Sequence, residues 1–351
     1  MANRLSRSVR KVSEDRAILA ALIAALGSSL VAGTMPELLK LIPGKNKTLA
    51  ALLVIGFVIL AASWISLHGR TGVGVAIFLK PTPSSTWSDS RLLRHAADAR
   101  SRHISFFYVN VDELHSGLNM DERAGLTQRV IEARLKEEDP KGASHISFYL
   151  TCSLPNAYRL GQQTFNSTHG AQLRILEFKE ISVHQVSNVG PHQPLPPLLL
   201  EGTPAGPQIT QSTYPQLAHM VRCTPTNLTA STAPTVNRYA LIVNLTTNPT
   251  MISAATAAAS GVAPGRYTVG ADDVCSSALV IESCVSPFPN DRSAYNELLK
   301  KITQDWALYL STQATDPQSP PEGRLFIQAP SSLAFSLGAL LPPDTKVIDY
   351  N

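Results

Sequence analysis

The chain has no G-x-x-x-x-G-K-[ST] loop, no H-E-x-x-H pair and no G-x-S-x-G elbow. These absences exclude a Walker-type phosphate cradle, a zincin centre and a nucleophile-elbow hydrolase. Its glycine alternation, Gly72-Val73-Gly74, lies at the amino end of the first apolar strand, where a phosphate loop would have nothing to cradle. Cysteine is scarce, and the four present (Cys152, Cys223, Cys275, Cys284) form no C-x-x-C pair. They read as reduced core thiols, with neither a zinc knuckle nor a redox dithiol. Charge is missing altogether from residues 17–35 and 48–67. Each of these runs has about the 20 residues that cross a bilayer's hydrocarbon as helix.

What is present is as unevenly spread as what is absent. Residues 1–70 carry nine Lys/Arg against three acidic residues, a net +6, and the other 281 residues carry 21 basic and 23 acidic, a net −2. The alkaline balance therefore belongs to the apolar end, and the rest of the chain has no footprint for a nucleic-acid polymer. The two charge-free runs predict a helical hairpin with spans over about 17–39 and 48–67, joined by a short loop that holds Pro36, Pro43 and Gly44. Five Lys/Arg precede the first span and three lie in the loop, while Arg70, Lys80, Arg91 and Arg94 follow the second. That asymmetry places the N-terminus and the body on the cytoplasmic side. Neither charge-free run, 17–35 or 48–67, holds an ionisable residue, which argues against a transporter or a proton relay.

In the body, strand-like and helix-like stretches alternate, the pattern of a parallel sheet with crossover helices. A first half over 71–182 has strands near 73–79, 103–111, 145–151 and 172–178, with helices near 88–100 and 121–138. Residues 183–237 are rich in Pro, Thr, Gln and Gly and predict a connector with little regular structure. A second half over 238–351 has strands near 239–245, 267–269 and 279–282, helices near 251–260 and 292–312, and a closing strand, proline turn, helix and strand over 324–350. A degenerate copy of that closing unit lies at 145–161. Ala157/Ala334, Tyr158/Phe335, Leu160/Leu337 and Gly161/Gly338 fall into register without a gap. The body is expected to be two copies of one α/β unit.

In open parallel sheets, ligands bind beyond the carboxyl ends of the strands, where helix N-termini offer N–H groups. Four turns at such ends are rich in small polar residues, and the candidate ligand-binding residues are Lys80, Thr82 and Ser84; Ser153 and Asn156; Thr246, Thr247 and Asn248; and Pro330, Ser331 and Ser332. Arg159 would add charge, and Trp87 could stack on a base or fill the core. Each turn alone reads as helix capping; four that converge about a pseudo-twofold axis would suit a nucleotide with several phosphates. Asp112-Glu113 with His115, and Asp272-Asp273, are the remaining acidic groups of note, and the acidic pair is a candidate lining of the crevice. No catalytic residue, metal site or cofactor is expected.

The Ala329-Pro330, Leu333-Ala334, Leu337-Gly338 string and the final strand reaching Tyr350 resemble the end of SAVED domains, and the duplicated plan resembles their two fused CARF-like, Rossmann-type units. The first copy departs from the pattern, with Ser153-Leu154-Pro155 where the second has Pro330. The resemblance covers roughly 73–351. Joined to two spans, it implies a membrane effector of a bacterial CBASS anti-phage system. Its ligand would be a cyclic di- or trinucleotide second messenger made by a CD-NTase-type nucleotidyltransferase. It also implies head-to-tail self-association that clusters the hairpins and disrupts the inner membrane. A membrane-anchored enzyme that cleaves cyclic oligonucleotides or another nucleotide substrate is the alternative.

Overall fold

In the computed structural model, the run Val73–Leu79 forms strand β1, buried at every position. Such a strand suits the middle of a parallel sheet covered on both faces. The structure describes residues 28, 54–61, 72–80, 90–111, 117–138, 145–164, 172–176, 198–203, 206–209, 214–228, 237–246, 248–285, 288–289, 291–313 and 320–350. Val73–Ala99 and Ser105–Asn351 make one compact unit, and Met1–Gly72 with Arg100–Ile104 the other. In the latter, 54–61 is helical with Val54, Ile55, Phe57 and Val58 exposed. The rest of both expected spans, apart from Ser28, lies outside the described residues, among which no helix is long and apolar enough to cross a membrane.

The large unit is an α/β fold with two sheets. After β1 come α1 (Ser90–Arg102), β2 (Ser105–Asn110), α2 (Met120–Glu138), β3 (His145–Cys152), α3 (Leu154–Thr164) and β4 (Gln172–Leu176). The second series is β8 (Arg238–Asn244), α5 (Pro249–Ala259), β9 (Ser277–Ser283), α6 (Arg292–Gln313), β10 (Glu322–Gln328), α7 (Ser331–Leu340) and β11 (Thr345–Val347). Local signals start these helices. Asn119 and Glu122 form a reciprocal box ahead of α2, each backbone N–H donating 2.9 Å to the other's side chain. Asn248 caps α5, and Pro249 occupies its first turn.

The two series share one topology. The first sheet runs β2-β1-β3-β4 and the second β9-β8-β10-β11, parallel at each of these neighbours. Residues 183–237, read in sequence as a connector with little regular structure, contain β5 (Leu198–Thr203), β6 (Gly206–Ile209), the short α4 (Leu217–Met220) and β7 (Val221–Asn227). β5 and β6 extend the first sheet antiparallel beyond β4, and β7 pairs antiparallel with β9 in the second. The strand expected at 267–269 is a single antiparallel bridge, Tyr267 to Tyr350, made by the Thr268 N–H, which donates to the Asp349 carbonyl 2.8 Å away.

The halves meet along α3 and α7, the most extensive contact between any two described elements. A Cβ at Gly161 would overlap the Phe335 carbonyl oxygen, and one at Gly338 would overlap the Tyr158 carbonyl oxygen. Only glycine lets the two backbones come this close. The offset that aligns Ala157 with Ala334 is 334 − 157 = 177, so Tyr158 matches Phe335 and Gly161 matches Gly338. Exchanging the copies turns one contact into the other, which is the signature of a pseudo-twofold axis. One apolar core continues across the junction, with Phe148 and Phe335 rings 5.5 Å apart. The buried Tyr158 hydroxyl donates to the Thr345 carbonyl, 2.9 Å away.

Candidate functional site

In each sheet the chain switches direction beside its first strand, so the crevice that takes ligands in such folds opens between β1 and β3, and between β8 and β10. The strand ends there are level: Leu79 pairs with Cys152, and Asn244 with Gln328. All four turns singled out in the sequence follow these ends. Thr82, Ser84, Trp87 and Thr247 lie outside the described residues, as do Asp112, Glu113 and His115.

The first half's switch point is built around one carbonyl. The Lys80 carbonyl accepts from Arg123 Nη2 at 2.8 Å and from Asn156 Nδ2 at 2.9 Å. Both donors are buried, Arg123 at 1% exposure and Asn156 at 0%. Because a carbonyl can only accept, the Asn156 amide is fixed with its nitrogen toward Lys80 and its oxygen away. That oxygen is buried with no hydrogen-bond partner, and so is Ser153 Oγ. Leaving a buried polar atom unpaired costs on the order of 1–3 kcal/mol, and here two lie within one turn of the α3 N-terminus, where the helix dipole is positive. The Lys80 ammonium sits 5.7 Å from the Phe78 ring centroid.

At the second half's switch point, between β8 and α5, the polar groups satisfy one another. Asn244 Oδ1 accepts from the Thr246 hydroxyl at 2.8 Å and its backbone N–H at 3.1 Å, and Asn244 Nδ2 donates to the Asn248 carbonyl at 2.8 Å. Asn248 Oδ1 accepts from the Thr250 N–H at 3.1 Å and hydroxyl at 2.7 Å. Asn248 is thus the cap of α5, the plain alternative that its type always allowed, and Thr246 is a turn residue closed on Asn244. The other turn, Pro330 with the buried Ser331 and Ser332, opens α7 without a side-chain cap.

Between the two ends lies a group that the sequence did not single out. Arg266 Nη2 donates to Gln328 Oε1 at 3.1 Å and to the Tyr267 hydroxyl at 3.3 Å, and the guanidinium carbon lies 5.3 Å from the Tyr267 ring centroid and 5.7 Å from that of Tyr350. Burial raises the Tyr350 phenol above its ordinary pKa, while the Leu154 backbone and the nearby Arg266 charge oppose the shift. Tyr350, from the end of the chain, therefore stands at the first residue of α3. No protein-family model and no curated protein matches the chain.

Two expectations for charged residues change. Arg159 does not offer an open charge to a ligand: its Nη1 and Nη2 grip the Asp349 carboxylate at 2.7 and 2.8 Å, and Nε meets Asp121 at 2.6 Å. Burial alone would lower the Arg159 pKa, but the two carboxylates outweigh it and leave it raised. Asp272 and Asp273 do not line the crevice, because they sit beside Arg324 and Arg238, at the amino ends of β10 and β8. Arg123 escaped notice because an arginine in an amphipathic helix reads as solvated. The signal for Arg266 was slight: it follows Gly265, whose φ of 57° marks a left-handed turn.

Proposed function

We propose that the chain is a receptor for a cyclic oligonucleotide and a membrane effector of anti-phage defence, in the manner of SAVED-domain proteins with two N-terminal spans. The observation that carries this reading is the pair of unpartnered buried atoms, Ser153 Oγ and Asn156 Oδ1, at the switch point of a duplicated parallel fold. Asn156 Oδ1 calls for a donor, and an exocyclic amine of a base or a ribose hydroxyl supplies one. The α3 N-terminus suits the adjoining phosphate. Two Rossmann-like units about a pseudo-twofold axis, each with its own switch point, suit a cyclic ligand that repeats a nucleotide unit.

The output would lie in the bacterial inner membrane. The exposed Val54, Ile55, Phe57 and Val58 inside the second charge-free run suit lipid contact. Ligand-driven stacking of the bodies would raise the local concentration of the spans and drive them together. The full chain in detergent, incubated with labelled cyclic di- and trinucleotides, tests this. Tight retention of intact ligand is expected, linear product would replace the receptor with the membrane-anchored enzyme, and absence of any bound label would end both readings.

A further inference from the structure

The arginines near the crevice and the strand ends divide by what holds them. Arg123 is buried on the Lys80 carbonyl, and Arg159, Arg238 and Arg324 each pair with carboxylates. Arg266 is held by a neutral amide, a phenol and two ring faces, and among the described residues it forms no ion pair with a carboxylate. It is also exposed. One nitrogen makes both of its hydrogen bonds, so donors of the planar fork remain for a further acceptor.

Its place is as informative as its chemistry. Gln328, which orients it, is the last residue of β10, at the second half's switch point. Tyr350, on which it stacks, reaches Leu154 at the start of α3, between Ser153 and Asn156. The guanidinium is thus tied to both switch points at once. Ring stacking fixes it before any ligand arrives, so little of the usual side-chain ordering cost remains at binding.

We propose that Arg266 is the anion-holding residue of this crevice, receiving one phosphate of a cyclic oligonucleotide whose donor edge meets Asn156. The assignment rests on the receptor reading above and adds to it the group that neutralises the ligand's charge, the role expected of Arg159 from the sequence.

Equilibrium dialysis of the full chain in detergent with labelled cyclic di-AMP, cyclic di-GMP, cyclic UMP-AMP and cyclic triadenylate tests it. For whichever probe binds, Arg266→Ala should weaken binding at least tenfold and flatten its dependence on salt. Arg266→Lys should fall between, because it keeps the charge and loses the planar fork. Arg222→Ala, which alters an exposed pair with Glu282, should bind as the unaltered chain does. The melting temperature without ligand separates lost binding from lost folding. If Arg266→Ala melts early, the Lys variant decides, with at least a threefold loss in support and no loss against. Equal binding by the unaltered chain and the Ala variant overturns the role of Arg266 and leaves the receptor reading standing. Failure of every probe to bind the unaltered chain overturns both.

Discussion

The two copies differ most where their likeness is closest. With the offset of 177 residues, Ser153 corresponds to Pro330, Asn156 to Leu333 and Arg159 to Ser336. The first copy places polar atoms at these positions and leaves two of them unpaired in the interior. The second places a proline and a fully buried leucine there, and its Ser336 hydroxyl closes on the Ser332 carbonyl at 2.9 Å. One copy holds two unpaired buried polar atoms at the strand ends, and the other fills the same place with apolar packing. The scaffold is present twice, but the unpaired polar end only once.

The contrast can be broken at its base. Gly161→Val should prevent α3 and α7 from meeting and cost more than about 4 kcal/mol, enough to leave the full chain unfolded or aggregated. A cooperative melt near that of the unaltered chain would show that the helices do not depend on the glycine. Leu333→Asn gives the second copy the first copy's buried amide with nothing to pair it, at an expected cost of about 3 kcal/mol in thermal unfolding. Arg159→Met strands the Asp349 carboxylate, which is 27% exposed, so a loss of about 1–3 kcal/mol is expected in denaturant titration. A loss below a few tenths would mark the pair as ornamental.

The reverse exchange sharpens the comparison. Asn156→Leu removes the unpaired oxygen, while the Lys80 carbonyl keeps its bond from Arg123. Stability should change by less than about 1 kcal/mol, with a gain as acceptable as a loss, while retention of labelled cyclic nucleotide falls at least tenfold. Unchanged retention would separate the orphaned oxygen from the ligand. The smallest effect belongs to the amino ends of the strands, where the Arg324 hydrogen bond, with help from Arg238, holds the Glu322 pKa below its ordinary 4.5. A depressed carboxylate stabilises the fold above pH 4.5, and that share is lost as pH falls through the folded value. The melting temperature should therefore drop more steeply below pH 4.5 in the unaltered chain than in Glu322→Gln.

Much of this architecture was legible in the sequence because it is written in local signals. The apolar runs gave β1, β3, β8 and β10 within a residue or two, and the gapless Ala-Tyr-x-Leu-Gly match gave the helix pair that joins the copies. The strands β5, β6 and β7 were missed because each is interrupted by Gly or Pro, at Gly202, at Gly206 and Pro207, and at Pro225, and because they lie at the outer sides of sheets whose other strands define them. Pro225 sits within β7, an edge strand, where a missing N–H costs no ladder bond. In the candidate site, the turns were readable from their Ser, Thr, Asn and Pro, yet their division into capping and unpaired groups was not. In the first half the outcome depends on distant partners, as Asn156 depends on Lys80, 76 residues earlier, and Arg159 on Asp349, 190 residues later.

The glycine crossing bears on descent. A contact in which each copy offers the same residues to the other is what a symmetric dimer of separate chains would have, with Gly161 and Gly338 as one residue in two subunits. In such a dimer every substitution appears twice, so a pocket gained on one side is gained on both. In a single chain the two sides can differ, as Asn156 and Leu333 do, while the glycine crossing keeps its symmetry.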